Sequence, residues 1–394
     1  MGFCTVRDVS PSGLRQGRTV RYPRGHGGDR GSARSGAGGV VSPPAPLRIG
    51  FCGAGWVVRN CYRPALEALG GRIAVAVVLE PEPAAQAAVR KLFPDAMIVS
   101  TRADLSAAPV AAIVVASPNP CHVDDAAAFL KAGLACLVEK PVLRGTADRA
   151  RLTAAGRRGG AALVAGVACR HRPDAQRWLE GAATIGPLRR LDLTWHRHRG
   201  FPATAWHLAK SPGWTGVFAD LGSHLVDLAG AALGWRTDGL DIRFARQSRT
   251  GHAAPAAWYD GTALEVMPSA TGVADRFEAQ WRVAGCTVCL SVRWLDDTPG
   301  DIVRLAAIGD DGACRLDGLF GFSSERRIPH QRVTLQRRGE APEISDFMPG
   351  PALHVAGFAA MLAAFHRRAA AGWQEQPDLD FTAALGDAIE TALR

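Results

Sequence analysis

Short apolar runs alternate with amphipathic segments along the first half of the chain. The runs are Leu47–Cys52, Ile73–Leu79, Val110–Ala116, Leu134–Val138 and Ala161–Val167. Strands that are buried on both faces show this nearly continuous apolar pattern. The segments between the runs with helical character are Val58–Leu69, Ala84–Phe93 and Val123–Ala132. Because strands and helices alternate with short connections, we predict an α/β fold with a doubly wound parallel sheet over residues 47–167.

The pattern changes after Gly186, where apolar and polar residues alternate as in strands that expose one face. The strand candidates are Leu188–Trp195, Leu240–Phe244, Arg276–Val283, Thr287–Trp294, Ile302–Ile308 and Arg332–Gln336. Helices are predicted at Leu221–Leu233, Leu353–Ala371 and Phe381–Leu393. This mixture predicts an α+β region over residues 168–394 with a mostly antiparallel sheet.

The first 46 residues differ in composition from the rest of the chain. They are rich in Gly, Ser, Arg and Pro and have no apolar periodicity, so we predict a disordered tail over residues 1–46. Seven arginines and two aspartates lie there, which accounts for more than half of the formal net charge of +9. The remaining chain is not strongly basic, and we expect no nucleic-acid partner for it. A nucleic-acid-binding arm and an over-extended gene start are the alternatives for the tail.

Membrane, export and metal-binding signals are weak in this sequence. Apolar stretches stay well short of the ~18 residues that a membrane span needs, and no apolar segment follows the first arginines as in a signal peptide. We therefore expect a cytoplasmic protein without a membrane partner. The nine cysteines are scattered, which favours reduced thiols. Cys286 and Cys289 form a lone C-x-x-C in a strand-like stretch, so we predict no metal site.

Residues 53–58, with the sequence GAGWVV, follow the first predicted strand and open the first predicted helix. Gly53 and Gly55 permit a tight turn and a close approach of the backbone to a pyrophosphate. The helix start at Trp56 and Val57 offers free N–H groups. This predicts a dinucleotide-binding turn, although Val58 is bulkier than the third small residue of such turns. A plain turn between strand and helix is the alternative.

Glu80 ends the second predicted strand. A carboxylate at this position can accept hydrogen bonds from the adenine ribose of a dinucleotide. Its charge would repel a 2′-phosphate, so Glu80 favours NAD as the cofactor over NADP. Glu82 is a second candidate for this role, and an exposed acid at a helix start is the structural alternative.

Lysine is rare in this chain, which has four lysines and 42 arginines, yet Lys140 stands just after the apolar run Leu134–Val138. A lysine can change its protonation state when its surroundings change, whereas an arginine stays charged. A tunable amine at the end of a buried strand suggests a catalytic position. A solvated lysine just beyond a strand is the alternative.

Asp220, His224 and Asp227 share one stripe of a predicted helix, next to a stripe of leucines. An aspartate one turn before a histidine can orient the imidazole and stabilise its cation, as a general base requires. We therefore predict that this stripe faces a cleft. An aspartate that caps the helix, with a histidine satisfied in the core, is the alternative.

The ordered set of motifs resembles the glucose–fructose oxidoreductase / inositol dehydrogenase / rhizopine-catabolism (Gfo/Idh/MocA) family from about Leu47 to the C-terminus. The matching motifs are Gly53-Ala-Gly55 with Tyr62-Arg-Pro-Ala-Leu66, Ser117-Pro-Asn-Pro-Cys-His122, Glu139-Lys-Pro141, Gly166 with Arg170 and Pro173, Ile185-Gly-Pro-Leu188, and Asp220-Leu-Gly-Ser-His224. Each motif is weak alone, and their order and spacing make the set specific. The chain departs from the family pattern at Cys169 and Trp214.

The resemblance implies a Rossmann domain followed by a domain with an open-faced sheet, through which we expect a homo-oligomer, either a dimer or a tetramer. It implies NAD(P)-dependent hydride transfer at a CH–OH group of a sugar, cyclitol or related polyol. Under this resemblance Lys140, Asp220 and His224 would contact the reacting hydroxyl. The further residues that it places near the cofactor are Ser117, Asn119, His122, Glu139 and Arg170. Trp206, His207 and Lys210, on the loop before the predicted helix, are candidates for substrate contacts, with surface or core roles as the alternative.

Two other functions are compatible with the same resemblance. NAD-dependent glycoside hydrolases share this fold and oxidise a sugar only transiently. Some related proteins bind a dinucleotide without catalysis and act as regulators, although those tend to lose the lysine or the histidine that this chain keeps.

Overall fold

Two β-sheets organise the described part of the protein, which in this computed structural model comprises residues 45–198, 200–202, 215–249 and 273–394. The first sheet has six parallel strands in the order β3-β2-β1-β4-β5-β6. The strands are β1 (Leu47–Cys52), β2 (Ile73–Leu79), β3 (Met97–Val99), β4 (Ala112–Val115), β5 (Ala135–Glu139) and β6 (Leu163–Gly166). The predicted doubly wound parallel sheet is confirmed. The prediction lacks β3, because three residues are too few to show a pattern.

Helices and apolar side chains cover both faces of the parallel sheet. The helices are α1 (Arg63–Ala68), α2 (Pro83–Leu92), α3 (Arg102–Ala107), α4 (His122–Lys131) and α5 (Thr146–Gly159). The side chain of Glu82 caps the start of α2 by accepting a hydrogen bond from the backbone N–H of Ala84. At the end of α5, Gly160 has a φ of 64°, the left-handed conformation that commonly ends a helix.

The second sheet has eight strands in the order β14-β13-β12-β11-β7-β10-β9-β8. The strands are β7 (Leu188–His196), β8 (Asp241–Ser248), β9 (Arg276–Val283), β10 (Cys286–Arg293), β11 (Ile302–Gly309), β12 (Gly312–Gly318), β13 (Gln331–Arg337) and β14 (Glu343–Phe347). Only the pair β7–β10 is parallel among them, so the predicted mostly antiparallel sheet is confirmed. The prediction lacks β12 and β14, whose apolar and polar residues alternate poorly.

Helices α6 (Pro173–Ala182) and α7 (Ser223–Ala232) pack on one face of the second sheet and share its core. Along β9 and β10, buried residues alternate with more accessible ones. This alternation is typical of a sheet that has one covered face. The sequence prediction lacks α6 but contains α7.

The last two helices return to the parallel sheet. Helix α8 (Pro351–Ala369) places Phe358, Met361 and Phe365 in a core of that sheet. Helix α9 (Pro377–Leu393) contributes Leu379 to the parallel sheet and Phe381 to the core of the second sheet. Helix α9 therefore connects the two cores, and α8 brings residues from near the end of the chain to the parallel sheet.

The two helices that carry the predicted site motifs both begin with a π-helical turn. The turn Val58–Tyr62 leads into α1, and the turn Phe218–Gly222 leads into α7. Such turns are rare and occur often at functional sites, because they redirect side chains at the helix start. Among the described residues, none of the helices combines the length and the apolar character of a membrane span.

Candidate active site

A cavity of about 850 Å³ lies at the carboxyl ends of β1, β2, β4 and β5. Open α/β sheets bind their ligands at this edge, and the volume falls within the range of ~300–1,000 Å³ for small-molecule sites. Trp195 and Arg197, at the end of β7, form part of the opposite wall. The predicted site residues that line this cavity are Gly53, Gly55, Trp56, Val57, Glu80, Ser117, Asn119, His122, Glu139, Lys140, Asp220 and His224.

The glycine turn after β1 combines a left-handed backbone with open space beside the helix start. Gly53 has a φ of 93°, and a Cβ atom there would lie 2.8 Å from the carbonyl oxygen of Ala116. A Cβ atom on Gly55 would meet no atom within 4 Å, so this position faces open space beside the helix start. Gly53 is therefore needed for the turn itself, and Gly55 leaves room where a pyrophosphate would approach the backbone.

Two acidic residues near the end of β2 have different positions. Glu80 lines the cavity, and its Oε1 accepts a hydrogen bond of 3.1 Å from the backbone N–H of Glu82. The side chain of Glu82 caps α2 instead. Of these two acids, Glu80 is therefore the one that faces the cavity. Ser117, on the neighbouring loop, donates a hydrogen bond of 2.7 Å to Asp125 and so helps to shape this part of the wall.

Lys140, at the end of β5, contacts the π-helical turn that precedes α7. Its Nζ donates to Oδ1 of Asp220 at 3.1 Å and to the carbonyl oxygen of Asp220 at 3.0 Å. Oδ2 of Asp220 accepts hydrogen bonds from Arg197 at 3.0 Å and from Trp294 at 2.9 Å. The buried carboxylate thus lies between two cations and fixes the ammonium group at the junction of the two sheets.

Glu139, next to Lys140, is buried and held from two sides. Its Oε1 accepts a hydrogen bond of 2.7 Å from the hydroxyl of Tyr62, and its Oε2 accepts one of 3.1 Å from the backbone N–H of Lys140. Burial raises the pKa of Glu139, although the Tyr62 hydrogen bond and the Lys140 charge oppose the change. These bonds connect the end of β5 to the helix that follows the glycine turn.

His224 lies in the first turn of α7, and its ring lines the cavity. Its Nδ1 is buried and has no hydrogen-bond partner in the part of the chain that the structure describes, which leaves Nε2 as the nitrogen that a ligand can reach. Burial lowers the pKa of His224 well below 6.5, and the charge of Lys140 lowers it further. The imidazole is therefore neutral near pH 7. Asp220 does not bond Nδ1 of His224, although its charge raises the pKa of that imidazole.

His122 joins two loops of the cavity wall. Its Nδ1 lies 3.0 Å from the carbonyl oxygen of Pro141, and its Nε2 lies 2.8 Å from that of Ser117. Burial lowers the pKa of His122, although the hydrogen bonds to the two carbonyl groups raise it. These contacts hold together the loops that follow β4 and β5.

Arg170, predicted to lie near the cofactor, is not among the residues that line the cavity. Its guanidinium lies 3.4 Å from Asp227 and 3.3 Å from Asp378, both of which are largely buried. Burial raises the pKa of Asp227 to about 7, although Arg170 opposes the change. Arg170 therefore links α7 to α9, and Asp227, which shares the predicted stripe with His224, faces this ion pair instead of the cavity.

Several cavity residues were missing from the sequence prediction, and Trp195, Arg197, Phe322 and His354 are the clearest of them. Trp195 packs against His224, with ring centroids 5.5 Å apart. His354 comes from the first turn of α8 and contacts Phe322 through ring centroids 4.9 Å apart. Of these four residues, only Arg197 lies in a recognisable sequence pattern, a basic run that could have indicated a functional position. Trp206, His207, Lys210 and Trp214 lie outside the described residues.

Two family models match the chain in succession. The model described as oxidoreductase family, NAD-binding Rossmann fold, matches residues 47–167. The model described as GFO/IDH/MocA C-terminal domain matches residues 174–315.

Two curated proteins are similar to the chain in sequence. A putative UDP-kanosamine synthase oxidoreductase subunit from Amycolatopsis mediterranei (strain S699) is 30% identical over 302 residues, which cover 74% of this chain and 81% of that protein. An inositol 2-dehydrogenase from Agrobacterium fabrum is 36% identical over 106 residues, 27% of this chain and 31% of that protein.

Solved structures share the fold over most of the chain. KijD10, a 3-ketoreductase from Actinomadura kijaniata solved with NADP and TDP-benzene, has a TM-score of 0.68 and 20% identity, covering 89% of this chain and 98% of its own. GenD2 from gentamicin A biosynthesis, solved with NAD, has a TM-score of 0.67 and 21% identity, covering 90% of this chain and 96% of its own. At sequence identities of 20% and 21%, the similarity to these two structures establishes a shared fold.

Proposed function

Because the chain belongs to the Gfo/Idh/MocA family of NAD(P)-dependent oxidoreductases, we propose that it transfers a hydride between the nicotinamide and a secondary hydroxyl or ketone of a sugar or cyclitol derivative. The observation that carries this proposal is that Lys140 and His224, from different halves of the chain, line one cavity. That cavity also contains the glycine turn, so an amine, a neutral imidazole and a dinucleotide site share one space.

The residues around the reacting oxygen have complementary roles in this proposal. The bound cofactor supplies the acceptor for the hydride that leaves the carbinol carbon. His224 takes the hydroxyl proton at Nε2, and Lys140 donates a hydrogen bond to the oxygen as negative charge develops on it. Asp220 holds Lys140 in place through the contact of 3.1 Å. In the reductive direction the same groups return the proton to the carbonyl oxygen.

Three relatives support a polyhydroxylated substrate. Their names refer to UDP-kanosamine, to inositol and to a 3-ketoreductase solved with a TDP derivative. The rings of Trp195 and Phe322 in the cavity wall offer apolar surface to the carbon face of such a molecule. Glu80, which lines the cavity, favours NAD as the cofactor, since a carboxylate after the second strand would repel a 2′-phosphate.

A panel of inositols, free sugars and nucleotide sugars, mixed with the full chain and with NAD or NADP, tests the proposal. We expect at least one of these compounds to change the nicotinamide absorbance in a reaction that needs both protein and cofactor. Release of an aglycone from glycosides without net reduction of the cofactor would favour the glycoside hydrolase alternative. Tight nucleotide binding without turnover of any compound would favour a regulator.

A further inference from the structure

An arginine that the sequence prediction lacks lines the cavity far from Lys140. Arg102, the first residue of α3, follows β3, whereas Lys140 follows β5. In the strand order β3-β2-β1-β4-β5, four strand spacings separate these two strands, which is about 19 Å. The cavity therefore extends along the edge of the sheet, with a reaction end at Lys140 and a distal end at Arg102.

The guanidinium of Arg102 is anchored to a buried carboxylate. Its Nη2 lies 2.6 Å from Oδ1 of Asp125 in α4, and the side chain of Asp125 is 5% exposed. Oδ2 of Asp125 accepts a hydrogen bond of 2.7 Å from the hydroxyl of Ser117, after β4. Arg102 thus reaches from the end of β3 to α4, while 47% of its side chain stays exposed. A guanidinium that is bonded through one edge keeps a flat face available for a ligand.

The glycine turn lies between the two ends of the cavity. Gly53 and Gly55 follow β1, which is the middle strand of these five, and a turn of this kind suits the pyrophosphate of a dinucleotide. The proposed chemistry needs the nicotinamide at Lys140. Because the two nucleosides extend from the pyrophosphate in opposite directions, the adenosine would lie over β2 and β3, at the end where Arg102 lines the cavity.

The distal end suits an aromatic base better than a second phosphate. Glu80 and Asp125 bring two negative charges to the lining of this end, and Arg102 brings one positive charge. Leu79 and Pro81 add apolar surface to it. A planar cation beside apolar groups is a good surface for an aromatic ring. We propose that the flat face of Arg102 binds the adenine base of the dinucleotide by stacking.

This inference rests on the dinucleotide site of the proposed function and not on its substrate. The probe is therefore ADP-ribose, which contains the adenosine and the pyrophosphate but lacks the nicotinamide, and calorimetry gives its dissociation constant. Arg102→Met removes the guanidinium, Arg102→Tyr keeps a flat face without the charge, and Arg102→Lys keeps the charge without the flat face. Arg151→Met is the matched control, because Arg151 pairs with Asp124, also in α4, outside the cavity lining.

We expect Arg102→Met to weaken the binding of ADP-ribose by about 3–30-fold, as for the loss of a cation–π contact. Arg102→Tyr should restore most of the affinity, since an aromatic side chain also stacks on a base, and Arg102→Lys should restore less. Asp125→Asn, which keeps Arg102 but weakens its anchor, should lie between the wild type and Arg102→Met. Arg151→Met should bind ADP-ribose as the wild type does. NADH, titrated by its fluorescence, should give the same order of affinities.

Three results would overturn the inference. Equal affinities of the wild type and Arg102→Met would show that Arg102 does not contact the cofactor. Rescue by Arg102→Lys but not by Arg102→Tyr would assign the charge to a phosphate or to the pair with Asp125. A loss in Arg151→Met as large as that in Arg102→Met would show a general effect of removing an arginine from this region. Urea denaturation without ligand reports whether each variant is folded.

Failure of the proposed function gives a different result from failure of this inference. A wild type that binds ADP-ribose in the expected order of variants, but turns over no compound of the panel, would contradict the proposed reaction alone. A wild type that binds neither ADP-ribose nor NADH would contradict both.

Discussion

Nζ of Lys140 lies 3.1 Å from Oδ1 of Asp220, so one ion pair joins the end of β5 to the turn before α7. Both side chains are largely buried. The carboxylate also accepts hydrogen bonds from Arg197 and Trp294, so Lys140 has one preferred position. Asp220 bonds the lysine and not Nδ1 of His224, so in the proposed mechanism Asp220 would aim the ammonium group at the developing alkoxide.

Replacement of this amine should affect turnover more than binding. Lys140→Met keeps the length of the side chain but removes the donor, and we expect kcat to fall by about 10²–10³-fold, as for other lost oxyanion donors. Nucleotide affinity, measured by fluorescence titration, should change little. The control is Lys131→Met, at the exposed end of α4, which should retain wild-type turnover. Equal turnover in the two variants would show that Lys140 has no role in the hydride-transfer step.

Cofactor preference should depend on Glu80 and not on Glu82. In Glu80→Gln the side chain keeps its size but no longer repels a 2′-phosphate. We expect the ratio of kcat/KM for NADP to that for NAD to rise by at least about tenfold, since each ~1.4 kcal/mol changes such a ratio tenfold. Glu82→Gln is the matched control, because Glu82 caps α2 outside the cavity lining. Equal ratios in both variants would contradict the role of Glu80.

Stability should fall in mild acid because buried histidines resist protonation. Burial lowers the pKa of His354 to about 3 and those of His171 and His196 to about 4. Above about pH 6.5 these groups are neutral in both the folded and the unfolded chain, so they add no pH dependence. As the pH falls from 6.5 towards the folded values, only the unfolded chain binds protons, and each such histidine lowers the free energy of unfolding by about 1.4 kcal/mol per pH unit.

The contribution of one histidine can be measured by chemical denaturation at about pH 7.5 and about pH 5.5. The loss of stability between these values should be smaller in His354→Phe than in the wild type by about 1.4 kcal/mol. The comparison of two proteins is needed because Asp227, whose pKa burial raises to about 7, acts in the opposite direction. An identical loss in both proteins would show that His354 is not kept neutral by the fold.

The sequence predicted the parts of the site that depend on local pattern. Gly53 and Glu80 follow apolar strands, and the strand order of a doubly wound sheet brings their ends to one edge. The position of Arg170 near the cofactor is implied by a family motif alone, and in the structure its guanidinium pairs with Asp227 and Asp378 from other elements. His354 had no local signal, because its place in the cavity depends on the return of α8 to the first sheet. Long-range packing of this kind is not encoded in the spacing of neighbouring residues.

Two arginine–aspartate pairs with the same spacing offer a direct test of what burial does to an ion pair. Arg172 bonds Asp174 through Nε at 3.0 Å and Nη2 at 2.9 Å, with both side chains fully buried. Arg236 bonds Asp238 in the same manner at 3.0 Å and 2.8 Å, but both side chains are 59% exposed. The two pairs share the sequence spacing and the two hydrogen bonds, and they differ in burial and in the further contacts that the buried pair makes with Gln331 and the ring of Phe320.

Arg172→Met should leave the buried carboxylate of Asp174 with Gln331 as its remaining side-chain donor among the described residues. We expect the free energy of unfolding to fall by about 3–5 kcal/mol, because breaking one side of a buried pair leaves an uncompensated charge. Arg236→Met should produce no measurable change in urea denaturation, since water solvates both partners of the exposed pair. Equal losses in the two variants would show that burial does not decide the contribution. The double variant Arg172→Met with Asp174→Leu should recover part of the loss, because it removes the stranded charge as well.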